Sequence, residues 1–127
     1  FSQDRDSFGW ELRGDGHVRP EQKAYVEGPW LNKQFGKYYM QYAVPGTQFD
    51  IYNDSVYHAE SPLGPYTIAR HNPFAYKPKG FMTGAGHGCT FKDRFGNLWH
   101  MGTTKILFDA DSNGGPVTGA YSDRPVR

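Results

Sequence analysis

Two residues in this chain stand where proton chemistry is possible, and each is flanked by residues that fix its backbone. Glu27 lies in Val26-Glu27-Gly28-Pro29-Trp30, where Gly28 and Pro29 set the chain direction just past the acid and Trp30 supplies a flat apolar surface. A carboxyl held at a rigid rim among aromatics is poorly solvated, which suits a general acid. The plain alternative is a glutamate that closes a strand against a surface lysine. His87 lies in Gly84-Ala85-Gly86-His87-Gly88-Cys89-Thr90, whose three glycines let backbone and ligand approach closely. Its plain alternative is a buried histidine bonded to a carbonyl. Cys89, two residues on, faces the same way as His87 in a regular strand, so a thiol and imidazole pair is conceivable. A small buried cysteine is the commoner occurrence.

Residues 27–42 and 87–102 overlay without a gap, which pairs Glu27 with His87, Gly28 with Gly88, Phe35 with Phe95 and Gly36 with Gly96. Apolar character matches as well, Leu31 meeting Phe91, Tyr38 meeting Leu98 and Tyr39 meeting Trp99. Self-similarity at a fixed period implies one supersecondary unit used twice, in stacked or radial copies. The first residue of each copy then occupies an equivalent place around a shared axis, so Glu27 and His87 are expected to face one space.

The elements that must position this pair read as β structure. The chain of 127 residues is 37% hydrophobic and 17% aromatic, with Gly 16 and Pro 9, a mixture that favours short strands and tight turns. We expect an all-β fold of antiparallel four-stranded sheets. Residues 1–23 read as the end of a preceding sheet and a linker, with Phe8, Trp10 and Leu12 alternating as a short strand. Residues 24–70 read as the first complete sheet: strands over 24–33, 37–43, 55–60 and 66–70, with Gly36 supplying the positive φ of the first hairpin. Residues 71–108 read as a long Pro- and Gly-rich loop, 71–86, followed by the first part of a second sheet. Residues 109–127 read as an irregular or disordered tail.

With strands alternating in direction, the connections 43–54 and 71–86 fall at the same end as Glu27 and His87. That end collects Gln48, Phe49, Tyr52 and Tyr76. Phe49 and Tyr52 sit in a polar loop and are suited to stacking on a sugar ring, whereas Tyr38, Tyr39, Phe91 and Trp99 are expected in the core. The turns at Phe35, 61–65 and Phe95 fall at the opposite end.

The charge balance narrows the partners. Fourteen Lys and Arg against thirteen Asp and Glu leave a net charge of +1, too little field to favour nucleic acid. No apolar stretch is long enough to cross a bilayer as a helix. His17, His58, His71 and His100 have no metal-ligand spacing with each other or with Cys89, so neither a metal nor another cofactor is expected. One cysteine rules out an internal disulfide framework and does not fix the compartment.

Four motifs in order resemble glycoside hydrolase family 43: Glu27-Gly28-Pro29-Trp30, Gly36-Lys37-Tyr38-Tyr39, Ser61-Pro62-Leu63-Gly64-Pro65 and Thr83-Gly84-Ala85-Gly86-His87-Gly88. The resemblance runs from about residue 24 to residue 104. It implies a five-bladed β-propeller, of which this chain supplies the end of blade two, blade three and most of blade four, the remaining blades coming from sequence outside it. It implies an inverting glycosidase acting on arabinofuranosides, xylosides or related sugars, in an extracellular or periplasmic setting. Family members use a base aspartate, a tuning aspartate and an acid glutamate. Glu27 matches the acid, and His87 resembles the pocket histidine of the following blade. Trp30, Gln48, Phe49 and Tyr52 are the further substrate-binding candidates. Asp4, Asp6 and Asp15 lack the strand context of the two aspartates, so this stretch alone is expected to be inert. A central cation, which the resemblance implies for many members, would take its histidine from a blade outside this chain. Two other readings are a non-catalytic carbohydrate-binding propeller and a structural β domain whose repeat records duplication only.

Overall fold

In the computed structural model, residues 9–11 and 25–106 are described. Seven strands follow a short 3-10 turn at Gly9–Glu11: β1 (Glu27–Gln34), β2 (Lys37–Val44), β3 (Asn53–Ala59), β4 (Thr67–Ile68), β5 (Ala75–Tyr76), β6 (Met82–Lys92) and β7 (Leu98–Ile106). The first five make one antiparallel sheet in the order β1-β2-β3-β4, with β5 also on β3, and β6 and β7 make a second. The expectations for residues 1–8, 12–24 and 107–127, among them Asp4, Asp6, Asp15 and the irregular tail, lie outside the described residues.

The β1–β2 hairpin closes through Phe35 and Gly36, both with positive φ (50° and 82°), the two-residue geometry whose twist suits flanking strands. β2 and β3 pair from Tyr38 with Ala59 to Val44 with Asn53. Beyond β3 the fourth strand is split. β4 pairs with Tyr57 and His58, and β5 pairs with Asn53 and Asp54. Between them the Asn72 carboxamide plays the part of a strand: its Oδ1 accepts from Val56 N–H at 2.9 Å and its Nδ2 donates to Val56 O at 2.9 Å. An amide side chain carries the same donor and acceptor as a peptide unit, so it satisfies the backbone that a regular strand would have paired.

One face of the first sheet carries the core, where Tyr42, Val44 and Tyr57 are buried and Trp10, Val26, Tyr66 and Ile68 pack against them. Fully burying a side chain such as Val44 is worth about 1.5–3 kcal/mol, and the tilted Tyr42–Tyr57 pair, with centroids 5.4 Å apart, adds about 0.5–1.5 kcal/mol. Trp10 was expected in a strand. It lies in the 3-10 turn instead, and Tyr42 donates its hydroxyl to the buried Glu11 carboxylate at 2.8 Å. Burial pushes the Glu11 pKa up, and the Tyr42 bond pulls against it.

Two sequence expectations are corrected in the second sheet. β6 begins at Met82, inside the stretch 71–86 read as loop, because the glycines at 84 and 86 hide the alternation while the backbone still pairs with β7 through Gly86–Thr103. Phe91 and Trp99, expected in the core, are 40% and 56% exposed. They pair with each other on a two-stranded sheet, and Met101 near them is exposed too. The opposite face of β6 and β7, which carries Thr90 and His100, is the one turned to the first sheet.

Candidate active site

The first sheet brings Glu27 to its end through a bulge. Glu27 pairs with Ala43, the register then shifts, and pairing resumes at Trp30 with Gln41, leaving Gly28 and Pro29 outside the ladder. A bulge re-aims the side chain beside it. Gly28 has a φ of 57°, and a Cβ there would meet the His87 imidazole at 3.1 Å, so glycine supplies both the backbone turn and the room for the ring.

His87 comes from β6 at a second irregularity, between Gly86 and Cys89, and its own φ is 53°. A left-handed conformation is uncommon for a residue with a side chain and clusters at functional sites. Two neighbouring glycines permit it by close approach. A Cβ on Gly86 would sit 2.6 Å from the Tyr52 ring, and one on Gly88 would collide with the Asp54 carboxylate and the Met101 carbonyl.

These elements bring Glu27, Tyr52 and His87 together. The Tyr52 hydroxyl donates to Glu27 Oε1 at 2.7 Å and lies 3.3 Å from His87 Nδ1, with the imidazole and carboxylate 3.9 Å apart. A second phenol, Tyr25, donates to Glu27 Oε2 at 3.2 Å. The His87 side chain is 55% exposed and that of Glu27 23%, so the cluster opens to solvent through the imidazole.

Behind it lies a second pair, a buried Asp54 and a partly exposed His100. Asp54 Oδ2 accepts from Gly88 N–H at 2.8 Å and is 3.3 Å from His100 Nε2. Burial pushes the Asp54 pKa up to about 7 against the pull of the Gly88 and His87 amides, and burial lowers that of His100. His100 Nδ1 lies 3.2 Å from Thr90 Oγ1 and 3.4 Å from Gln41 Nε2. A neutral ring protonated on Nε2 satisfies all three neighbours, accepting from both at Nδ1 and donating to Asp54.

Tyr52 does join Glu27 and His87, but not as a stacking platform: it is 1% exposed, with its ring against Gly86. Trp30 donates its indole N–H to Thr90 O at 2.9 Å and so ties the sheets together. Gln48 is exposed, its amide folded over Gly46, and Phe49 accepts at its carbonyl from Tyr52 N–H at 3.1 Å. Their loop is held from β7, where Lys105 Nζ reaches Asp50 Oδ1 at 2.6 Å and Gln48 O at 3.1 Å. Cys89 is opposite Met101, beyond the irregularity that breaks its alternation with His87. Among the described residues no three His, Cys, Asp or Glu side chains gather as metal ligands, and no role here is assigned to a cation. Sequence reasoning missed Tyr25, Asp54 and His100. Asp54 carried no signal, because Asn53-Asp54-Ser55 is poor in strand-forming residues and reads as the end of the 43–54 connection, whereas β3 begins at Asn53.

Residues 9–114 match the family described as Glycosyl hydrolases family 43. Over 57 residues the chain is 42% identical to the beta-D-galactofuranosidase xynD of Aspergillus niger, covering 44% of this chain and 16% of that protein. Its structure is similar to that of a mutant of the GH43 protein BlXynB from Bacillus licheniformis, at 27% identity and a TM-score of 0.59, covering 65% of this chain and 16% of that one. It is also similar to an endo-1,4-beta-xylanase from Bacteroides thetaiotaomicron, at 25% identity and a TM-score of 0.57, covering 87% and 40%. The chain belongs to glycosyl hydrolases family 43. Its two antiparallel sheets are neighbouring blades of the β-propeller these relatives share, and the chain spans a sixth of the length of the first two.

Proposed function

We propose that the protein carrying this chain hydrolyses O-glycosidic bonds with inversion, removing arabinofuranosyl, xylosyl or related units from a polysaccharide or oligosaccharide. The Aspergillus niger relative, named for galactofuranoside cleavage, adds galactofuranosides to the substrates worth testing. The observation that carries this reading is the Glu27–Tyr52–His87 cluster, an acid and an imidazole from adjoining sheets joined by one phenol.

In this reading Glu27 gives its proton to the departing glycosidic oxygen as the bond to the anomeric carbon breaks. Water attacks that carbon from the other face and loses its proton to a second carboxylate. Inverting enzymes place that group about 6.5–9.5 Å from the acid. In this reading that carboxylate comes from an earlier blade, outside this chain. His87, exposed beside the acid, contacts the sugar.

The test is Glu27→Gln in the full-length protein, assayed on arabinofuranosides, xylosides and galactofuranosides with alkyl or sugar leaving groups. Loss of a placed general acid costs about 10²- to 10⁴-fold in rate. Undiminished turnover by the variant rejects the role of Glu27. Sugar binding without turnover by the unaltered protein favours the carbohydrate-binding alternative.

A further inference from the structure

We infer that Tyr52 is a positioning residue that divides the labour of the two Glu27 oxygens, gripping Oε1 and leaving Oε2 to carry the proton to the leaving group. The inference rests on the reading of Glu27 as the general acid. A phenol has one proton to give, and Tyr52 lies between Glu27 Oε1 at 2.7 Å and His87 Nδ1 at 3.3 Å. The shorter contact takes the proton. The Tyr52 oxygen is then left as an acceptor, which places a proton on His87 Nδ1 and directs Nε2 away from the pair.

A carboxylic acid has one oxygen that carries hydrogen and one that only accepts. With Tyr52 donating to Oε1, that oxygen is the acceptor and Oε2 is the hydroxyl. The two phenols differ in how firmly they are held. Tyr52 is 1% exposed, its ring lies against Gly86, and its amide is bonded to Phe49. Tyr25 is 37% exposed, and its bond to Oε2, at 3.2 Å, is long for an O–H donor. A glycosidic oxygen arriving at Oε2 therefore displaces the weaker contact, while the stronger one fixes the carboxyl plane. Tyr52 also holds Nδ1 of His87, so acid and imidazole keep one relative orientation.

The experiment uses the full-length protein and a series of aryl arabinofuranosides, xylosides and galactofuranosides whose phenol leaving groups are graded in acidity. General acid assistance matters most for the poorest leaving groups. Tyr52→Phe is expected to lower kcat about tenfold on the poorest leaving group, the worth of one hydrogen bond to a charged group, and little on the best, with KM nearly unchanged. Gly86→Ala, which crowds the ring but keeps its hydroxyl, is expected to steepen the same dependence. An equal loss across the series in both variants marks a merely structural role and overturns the inference, as does a steepened dependence in Tyr25→Phe with Tyr52→Phe at the unaltered slope. Glu27→Gln is the separate control: without steepening there, the acid reading itself fails, whatever Tyr52 does.

Discussion

The indole of Trp30 donates to the carbonyl of Thr90, the residue that stands in its own place in the second copy of the repeat. Glu27 and His87, paired by the same offset, come within 3.9 Å of each other. The two copies thus touch along equivalent positions, as neighbours around an axis must. Trp30→Phe keeps the apolar ring and removes one partly exposed hydrogen bond. We expect a loss of about 0.5–1.5 kcal/mol in urea unfolding of the full-length protein, with an unchanged slope. A variant as stable as the original refutes the tie.

Gly88 admits the Asp54 carboxylate and the Met101 carbonyl where a Cβ would stand. Both obstacles are fixed, one buried and one backbone, so Gly88→Ala is expected to cost on the order of 1–3 kcal/mol. The matching change at Gly36, where a Cβ meets nothing within 4 Å, costs only the strain of its positive φ. Thermal melts should order the two, with Gly88→Ala the lower.

Asp54 makes stability depend on pH. Burial raises its folded pKa to about 7, above the unfolded value near 3.8, so between these limits the folded state holds the extra proton and stability falls as pH rises. Asp54→Asn has no charge to bury. Its stability relative to the original protein should therefore climb from pH 4 to pH 7 and level off above, a change on the order of a few kcal/mol. Denaturant titrations across that range that show a constant difference would contradict the assignment.

The far turn behaves in the opposite sense. Asp93 accepts from Phe95 N–H, Asn97 N–H, Asn97 Nδ2 and the Trp99 indole, all at 2.9–3.0 Å. The bonds from Trp99 and Asn97 lower its pKa to about 2. Its contribution is complete above the unfolded value near 3.8 and is lost as pH falls through about 2. Exchange protection of the Phe95 and Asn97 amides should persist at pH 4 and weaken toward pH 2, and Asp93→Asn should abolish that dependence.

The strands with ordinary alternation were legible. The first hairpin, the third strand and the shared end of Glu27 and His87 follow from β-forming residues, Gly36 and the offset of the repeat. What escaped has specific causes. A side chain replaces a strand at Asn72, which no periodicity reports. β5 has two residues, too few for a pattern. Glycines at 86 and 88 are spaces for groups from elsewhere and Gly84 takes a positive φ, so β6 resembled a loop. Tyr52 was placed at the right end with the wrong task, because composition shows that a ring is near the pocket and not that glycine will cover it. Asp54 and His100 meet only in three dimensions, 46 positions apart.

The Tyr52 phenol spans a seam, taking its acid from one blade and its imidazole from the next. The spacing of Glu27 and His87 is accordingly a measure of how closely two blades are seated. In the hydrolysis proposed above, residues that never meet a sugar would tune turnover wherever they wedge or clamp that joint, and an insertion that widened it by a single ångström would slow the reaction by about 100-fold while leaving every strand intact.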